Sequence, residues 1–314
     1  MSTPLAEAAS SGFFDASAYD AYRPSYPDAA VSAFLGHLNT LNTAVGKHGV
    51  ARIVEIGAGT GKFTELLSRR AVQVAAERDG QAAEILAVEP HPQMRAQLAA
   101  KNLPHVTAVD GHSADLSMIE DGTADTVIVA QAFHWFATYE ALKEIHRVLK
   151  PGSFVGVIWN IEDYNKPAAW QAKTAWEQSL NDIVYSLALD GSPRFRDEKW
   201  QKSFEIAAVP DAAANRAALY LPLSDDRVYW TVQLTPEALW KRLLTLSQIA
   251  NLPEAGPNDE EEAVADTKAQ PTSRNTVRRR FDAVLARDDV VYNEQNEVTI
   301  HALTFFAWAQ KIAV

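Results

Sequence analysis

The chain has 314 residues, a formal net charge of −11 and no cysteine. The acidic charge disfavours a nucleic-acid partner, because a negative surface repels the phosphate backbone. The lack of cysteine excludes disulfides, cysteine-ligated zinc and a thiol nucleophile, and we predict no metal site. The opening stretch MSTPLAEAASSGFF has no signal-peptide pattern, and no apolar run approaches the roughly 20 residues that span a bilayer. The sequence therefore predicts a cytoplasmic protein without a membrane partner.

Predicted strands and helices alternate between residues 28 and 160. Apolar runs predict the strands, and apolar residues at helical spacing predict the helices. This alternation predicts an α/β fold with a parallel sheet and right-handed crossovers. In chain order the elements are a helix at 28–45, a strand at 51–56, a helix at 62–71, a strand at 84–90, a helix at 92–101, strands at 105–111 and 123–133, a helix at 139–152 and a strand at 153–160.

The chain changes character after residue 160. The pattern predicts helices over 161–205, a strand at 227–234 and a helix at 235–251 that begins at a Thr-Pro pair. An acidic stretch with proline and glycine at 253–271 predicts a mobile loop, and a helix at about 272–287 and a strand at 297–311 follow. We therefore divide the chain into a flexible tail (1–12), a core (13–160), a helical cap insertion (161–226) and a segment that completes the sheet (227–314).

The stretch IVEIGAGTGKF at 53–63 places three alternating glycines directly after a predicted strand. The stretch does not fit a phosphate-binding loop, because that motif needs a glycine at the position of Ile56 and a hydroxyl side chain at the position of Phe63. The dehydrogenase fingerprint needs its third glycine at the position of Lys62. A purely structural turn remains an alternative, because any tight strand-to-helix turn favours glycine. Glycines also let the backbone lie against a ligand, and the helix that follows offers free N–H groups to an anion.

The pattern EIGAGTG at 55–61 resembles motif I of the class I S-adenosylmethionine-dependent methyltransferases. Three further stretches are similar to the UbiE-like and trans-aconitate-methyltransferase-like small-molecule branch of that family: YDAYRPSYP (19–27), AQAFHWF (130–136) and IHRVLKPGS (145–153). The resemblance implies a Rossmann-like, doubly wound, seven-stranded, mostly parallel sheet with an antiparallel last strand and a helical cap. It also implies S-adenosyl-L-methionine as cofactor and S-adenosyl-L-homocysteine as product.

The same resemblance implies the residues that hold the cofactor. Glu89 ends the second strand, where its carboxylate could accept both ribose hydroxyls; the alternative is a surface glutamate. Asp110 and Asp115 are rivals for the adenine amine. Arg23 could pair with the methionine carboxylate and Tyr22 could close the pocket; the alternative is an aromatic staple for the first helix. The implied cofactor-binding residues are Tyr22, Arg23, Glu55, Gly57, Ala58, Gly59, Gly61, Glu89, Pro90, Asp110, Ser113, Ala114, Gln131 and Phe133.

Four residues near the ends of strands four and five are candidates for contact with the substrate. Trp135, Trp159 and Asn160 are predicted to bind it, although tryptophan is more often a core residue. His134 is the candidate general base, because histidine titrates near neutral pH. The alternative is that His134 only packs against Trp135 or bonds a backbone carbonyl. A carboxylate acceptor would need no base.

Together these patterns predict a methyltransferase that acts on a small molecule, with O-methylation of a carboxylate or hydroxyl by in-line displacement. The alternative is a protein of the same fold that binds the cofactor for regulation, isomerisation or cyclisation, because fold does not fix function. The glycines and Glu89 argue only for cofactor binding. The sequence is compatible with a monomer or a homodimer.

Overall fold

The computed structural model describes residues 20–41, 50–77, 83–187, 191–214, 216–256, 259 and 270–313. The predicted tail, the end of the helix predicted at 28–45 and most of the predicted acidic loop lie outside these residues. Within the described ranges, no helix is long and apolar enough to cross a membrane.

Seven strands form one sheet in the order β3-β2-β1-β4-β5-β7-β6. The first five strands are mutually parallel, and β7 runs antiparallel to both β5 and β6. The predicted α/β class and the antiparallel last strand are thus confirmed. The strands are β1 (Arg52–Ile56), β2 (Glu84–Val88), β3 (Val106–Val109), β4 (Ala124–Ala130), β5 (Leu149–Glu162), β6 (Ser224–Leu234) and β7 (Val298–Gln310).

Helices flank the sheet and connect its strands. They are α1 (Asp28–His37), α2 (Lys62–Glu77), α3 (Pro92–Ala100), α4 (Tyr139–Val148), α5 (Ala175–Ser186), α6 (Gln201–Ala208), α7 (Pro236–Leu243), α8 (Ser247–Ala250) and α9 (Arg274–Leu285).

The central strands are apolar because both of their faces are covered. On β1, the adjacent residues Ile53 and Val54 belong to different apolar clusters. One cluster joins the sheet to α1 and α2, for example through Phe34, and the other joins it to α4 and α6, for example through Leu142 and Phe204. This sandwich fixes the carboxyl ends of the parallel strands, where ligands bind in open α/β sheets.

Three helix predictions differ from the structure. The helix predicted at 28–45 already ends at His37, and residues 38–41 are not helical. The helix predicted at 139–152 ends at Val148, and Pro151 and Gly152 already belong to β5, because Leu149 turns to an extended conformation and pairs with Ala124. The helix predicted at 235–251 is two helices, since Leu246 is extended between α7 and α8.

The segment between β5 and β6, which we call the cap, carries α5 and α6; that it covers a substrate stays a prediction. A buried carboxylate on α5 joins this segment to the sheet: Glu177 accepts hydrogen bonds from the backbone N–H of His301 on β7 at 2.7 Å and from the hydroxyl of Thr174 at 2.7 Å. The imidazole Nδ1 of His301 lies 2.8 Å from the same carboxylate.

Candidate active site

The glycine turn connects β1 to α2 and has a left-handed backbone. Gly57, Gly59 and Gly61 have φ values of +71°, +59° and +89°, a region that side chains disfavour. A Cβ atom on Gly57 would lie 2.8 Å from Cβ of Ala132, and one on Gly61 would collide with Leu98. Gly57 therefore allows the turn to lie against the segment that follows β4.

Glu89 lies directly after β2 and faces this turn. Its side chain is buried, and its two carboxylate oxygens accept hydrogen bonds from the N–H of Gly59 at 2.7 Å and of His91 at 2.8 Å. Burial raises the pKa of Glu89, although the two N–H donors and the nearby charge of Arg95 oppose that rise. Among the described residues, a Cβ on Gly59 would meet only the sulfur of Met94, at 3.9 Å, so these residues leave room for a ligand beside the Glu89 carboxylate.

Glu55 is buried inside β1, two residues before the turn. One of its oxygens accepts a hydrogen bond from the Thr64 hydroxyl at 2.7 Å, and the other has no partner among the described residues. Burial and the charge of Glu89 raise the pKa of Glu55 to about 8, against the opposing bond from Thr64. Glu55 is thus a protonated residue beneath the turn at neutral pH, and its 1% exposure leaves it no surface for direct contact with a ligand.

The loop after β3 carries the predicted adenine-binding residues. Ser113 is buried and Ala114 is exposed. The two rival aspartates are both exposed. Asp110 pairs with Arg95 at 3.0 Å, and Arg95 also donates to the backbone carbonyls of Glu89 and Pro90, so Asp110 is tied to the cofactor turn. Asp115 instead accepts a hydrogen bond from the N–H of Ser117, within its own loop.

A cleft lies at the carboxyl ends of β4 and β5. Its lining contains three arginines but, among the described residues, no carboxylate. The lining residues are Arg23, Gln131, His134, Trp135, Asn160, Ile161, Asn165, Arg194, Phe195, Arg196, Thr245, Leu246, Ser247 and Gln248. The cleft borders the glycine turn through Ala132. Ala132 packs against Gly57 of that turn, and it lies in the chain between Gln131 and the one-turn helix Phe133–Trp135, which contribute lining residues to the cleft.

Gln131 enters this cleft from a strained position. Its φ is +58°, which is uncommon for a residue with a side chain and often marks a functional site. Two hydrogen bonds hold it there: its N–H donates to the carbonyl of Ile158 at 2.8 Å, and its side-chain amide donates to the carbonyl of Asn160 at 3.2 Å. Asn160 in turn donates to the carbonyl of Ser25 at 3.1 Å.

His134 lies in the one-turn helix Phe133–Trp135, and its ring is oriented by a neighbouring tryptophan. The indole N–H of Trp159 donates to Nδ1 of His134 at 3.1 Å. Burial in the cleft, with the positive charges of Arg194 and Arg23, lowers the pKa of His134 to about 3. The ring is therefore neutral and carries its proton on Nε2.

Residues 20–26 bridge the glycine turn and the far side of the cleft. Asp20 accepts a hydrogen bond from the Thr60 hydroxyl at 2.8 Å and pairs with Lys101 at 3.1 Å. Arg23 donates to the carbonyl of Thr245, next to the break between α7 and α8, at 3.0 Å. Tyr22 lies under the ammonium group of Lys241, 5.5 Å from ring centroid to Nζ. This bridge places Arg23 in the cleft.

Two predicted contact residues lie in the core instead. Phe133 has no exposed surface and packs against Phe136 and Phe204 at ring distances of 5.5 and 5.0 Å. Trp159 is also fully buried, and packs against Trp200 at 4.7 Å. Their predicted direct contacts with cofactor and substrate are therefore corrected to packing roles, because aromatic rings of this size fill the core below the cleft. Trp159 reaches the cleft only through its bond to His134.

Sequence reasoning missed the cationic side of the cleft. Arg194 and Arg196 flank Phe195 at the one-turn helix Phe195–Asp197 of the cap, and their side chains contact distant parts of the chain. Arg194 donates to the Gln248 side chain at 3.3 Å, and Arg196 donates to Asn165 at 3.4 Å. The alternation Arg-Phe-Arg in a segment otherwise rich in small and acidic residues was the only signal that could have marked them.

The comparisons with known proteins agree with this architecture. A family model described as a methyltransferase domain matches residues 54–157, which run from β1 into β5. An uncharacterized methyltransferase of Mycobacterium tuberculosis is 30% identical over 222 residues, which is 71% of this chain and 70% of that protein.

An uncharacterized methyltransferase-like protein of Schizosaccharomyces pombe is 34% identical over 190 residues, which is 60% of this chain. The match spans 63% of that relative's length. Among solved structures, the YcgJ protein of Bacillus subtilis covers 90% of this chain and 99% of its own, at 16% identity and a TM-score of 0.45, which is too weak a likeness to add to the topology above. The fold, the glycine turn and the similarity to these relatives together show that the chain belongs to the class I S-adenosylmethionine-dependent methyltransferase family.

Proposed function

We propose that this protein transfers a methyl group from S-adenosyl-L-methionine to an oxygen atom, a carboxylate or a hydroxyl, of a small molecule. The observation that carries the proposal is the cleft that opens directly beside the glycine turn and is lined by polar and cationic side chains. Its position at the carboxyl edge of a parallel sheet is where such folds bind ligands.

The turn and the groups around it fit the cofactor. Gly59 leaves space where a side chain would otherwise stand, and the buried carboxylate of Glu89 can exchange its bonds to the N–H groups of Gly59 and His91 for ribose hydroxyls. Asp110 and Ser113 lie in the loop after the next strand, β3, where an adenine ring would extend. Arg23 is a candidate partner for a carboxylate at the cleft end. When bound, the cofactor supplies an electrophilic methyl group on a positively charged sulfur.

The protein's own contribution is alignment. Gln131 and Asn160 are fixed by hydrogen bonds at the ends of neighbouring strands, so the floor of the cleft is rigid. Holding an oxygen in line with a carbon-sulfur bond can supply up to about 7–11 kcal/mol of the barrier in favourable cases. The leaving group is neutral, so no residue has to protonate it.

The first test is calorimetry of S-adenosylmethionine, S-adenosylhomocysteine and NAD with the purified protein and with Glu89→Ala. We expect micromolar binding of the first two ligands, no binding of NAD, and a loss of at least about tenfold in the variant, corresponding to about 1.4 kcal/mol. Glu84→Ala is the matched control, since Glu84 is an exposed glutamate at the other end of the same strand. Equal losses in both variants, or no binding at all, would contradict the assignment of the cofactor site.

The second test measures methyl transfer from radiolabelled S-adenosylmethionine to a panel of small carboxylates, phenols and alcohols. Label in an ester or ether product supports the proposal. Cofactor binding without any formation of S-adenosylhomocysteine across the panel would favour the alternative, in which the fold binds the cofactor for a role other than methylation.

A further inference from the structure

Two buried carboxyl groups lie on neighbouring strands beside the glycine turn. Glu55 on β1 is paired in register with Ala87 on β2, and Glu89 follows Ala87 by two residues. The exposed fractions of Glu55 and Glu89 are 1% and 5%. Glu89 accepts hydrogen bonds from two backbone N–H groups, whereas Glu55 accepts one from the hydroxyl of Thr64. Because a buried charge needs donors to offset its lost hydration, this pair is built to hold one negative charge, on Glu89.

The hydrogen bonds also locate a proton on Glu55. The Thr64 hydroxyl donates to Oε2 of Glu55 at 2.7 Å, so this oxygen is an acceptor. The other oxygen, Oε1, is buried and has no hydrogen-bond partner among the described residues. An ionised Glu55 would leave this oxygen charged, without a donor and close to a second carboxylate, so the proton is on Oε1. The pKa of about 8 agrees, since burial and the charge of Glu89 raise it against the bond from Thr64.

The surroundings of Glu55 make its ionisation depend on the charge at the cofactor turn. Its cross-strand partners are Ala87 on β2 and Ile128 on β4, and α2 presents the hydroxyl of Thr64. None of these three side chains titrates. Among the described residues, Glu89 is the one charged group that shifts the pKa of Glu55. A positive charge placed beside Glu89 therefore favours the ionised form of Glu55.

The methyl donor and its product differ in charge by one unit. S-adenosylmethionine carries a sulfonium, an ammonium and a carboxylate, so its net charge is positive. S-adenosylhomocysteine has a neutral thioether in place of the sulfonium, so its net charge is zero. Under the proposed function both ligands bind at the turn beside Glu89, but only the donor offsets the negative charge that acts on Glu55.

We propose that Glu55 is a specificity-determining residue that distinguishes the methyl donor from its product: its carboxyl group ionises when S-adenosylmethionine binds and is protonated again once S-adenosylhomocysteine has formed. The proposal rests on the proposed function and extends it from cofactor binding to cofactor preference. One proton goes to the solvent when the donor binds, and one returns from the solvent after the sulfonium has become a thioether. No proton passes between Glu55 and the methyl acceptor, and Glu55 acts through its charge without touching the ligand.

This coupling gives the affinity for the donor a pH dependence of known sign. The pKa of Glu55 is about 8 in the free protein, and the bound donor lowers it. The affinity for S-adenosylmethionine should therefore rise with pH between the two pKa values and level off above and below them. The affinity for S-adenosylhomocysteine should lack this rise. From pH 6 to pH 9 the ratio of the two affinities should move toward the donor by about tenfold, the effect of a fall of about one unit in the pKa.

The first test counts protons by calorimetry at pH 7.5 in phosphate and in Tris, two buffers with different ionisation enthalpies. In wild type, S-adenosylmethionine should release about 0.5 proton more than S-adenosylhomocysteine, and Glu55→Gln should abolish the part of this excess that belongs to Glu55. The amino group of each ligand also titrates near pH 8, but it does so with both proteins, so the comparison isolates Glu55. Equal proton counts in wild type and Glu55→Gln would overturn the proposal.

Thr64→Val is a second variant, which keeps the carboxyl group and removes its one donor. Ionisation of Glu55 becomes harder, so proton release at pH 7.5 should shrink and the rise in donor affinity should move to higher pH. Glu84→Gln is the matched control, because Glu84 is exposed at the other end of β2, and it should behave as wild type. An unchanged proton count in Thr64→Val would contradict the proposal.

Infrared spectroscopy of the protein without ligand separates this proposal from the cofactor assignment. A protonated carboxyl band should be present at pH 6, disappear with a midpoint near pH 8, and be missing in Glu55→Gln. Absence of the band in wild type would overturn the proposal whatever the ligands do. If both ligands bind but release equal numbers of protons, only the role of Glu55 falls. If neither binds, the cofactor assignment falls with it.

Discussion

Glu55 and Glu89 are buried carboxyls at the ends of neighbouring strands, and the charge of Glu89 adds to the burial that raises the pKa of Glu55. Glu89 has two backbone N–H donors to stabilise its charge, whereas Glu55 has one hydroxyl donor and one oxygen without a partner among the described residues. The site thus keeps one carboxyl ionisable beside the turn and one neutral beneath it.

Glu55 should make stability depend on pH. Its folded pKa of about 8 lies above the ordinary value of 4.5, so the folded protein binds a proton that the unfolded chain releases first. The free energy of unfolding should therefore fall as pH rises from about 4.5 to about 8, by on the order of a few kcal/mol. Glu55→Gln should remove this fall. Urea unfolding at pH 6 and pH 9 measures it, and Glu84→Gln, on the exposed end of β2, should behave as wild type.

Gly57→Ala should damage both stability and cofactor binding. The new Cβ would lie 2.8 Å from that of Ala132, at a φ of +71°, so the turn must shift away from the cleft. We expect a loss of about 1–3 kcal/mol in the free energy of unfolding and weaker binding of S-adenosylhomocysteine.

Gly36→Ala is the matched control for Gly57→Ala. Gly36 lies in α1, has no left-handed φ, and has no atom of the described residues within 4 Å of the place that an alanine methyl group would take. Alanine there should be neutral or stabilise by up to about 1 kcal/mol. If both substitutions had the same effect, close packing at Gly57 would not be the cause.

Asp20→Asn should loosen residues 20–26. The Asp20 carboxylate is bonded to Thr60 and Lys101, and although partial burial opposes ionisation, these two partners lower its pKa overall. The contact is therefore present above the ordinary aspartate pKa of 3.8 and is lost as pH falls through the lower folded value. Global stability should change by less than about 1 kcal/mol, since the pair is partly exposed.

Amide hydrogen exchange over residues 20–26 measures this effect, and we expect faster exchange in Asp20→Asn and in wild type at high salt. Glu77→Gln, at the exposed end of α2, should leave exchange unchanged. Slower or equal exchange in Asp20→Asn would contradict the role of the Asp20–Lys101 pair.

Glu177→Ala should destabilise the junction between the cap and the sheet. The substitution strips hydrogen-bond acceptors from the backbone N–H of His301 and the hydroxyl of Thr174, in a fully buried place. We expect a loss of about 3–5 kcal/mol in the free energy of unfolding. Glu205→Ala, at an exposed position of α6, should change it by less than about 0.5 kcal/mol. Similar losses in both variants would indicate a general effect of removing charge.

The parts of the fold that sequence could predict are those with a local signal. The glycine turn, the seven strands and the position of Glu89 directly after β2 each follow from a pattern of a few adjacent residues, because a buried strand must be apolar and a left-handed turn favours glycine. The prediction that His134, Trp135, Trp159 and Asn160 lie near the ends of strands four and five also followed, since the carboxyl ends of adjacent parallel strands share one edge.

The parts that escaped prediction depend on contacts between distant segments. Arg23 reaches Thr245 across 222 residues, and the carbonyl it uses faces the cleft only where the chain breaks between α7 and α8. Nothing in the pattern at 235–251 predicts that break. Likewise, Trp159 carries the same local signal whether its indole points to a substrate or into the core. The packing of Phe195 and Trp200 against the Trp159 indole shows that this side chain belongs to the core.

The position of β7 between β5 and β6 has a consequence for synthesis on the ribosome. About 60 residues separate β6 from β7, the strand with which it pairs, so β6 is synthesised well before its partner. One edge of β5 also pairs only with β7 and stays unpaired until β7 is made. Until residue 310 has emerged, β6 is a strand without neighbours, and β5 exposes unpaired backbone N–H and C=O groups along its open edge. Strands β1 to β5 can pair with one another as they are synthesised. The sheet is complete only when β7, the last of the seven strands to be made, inserts between β5 and β6.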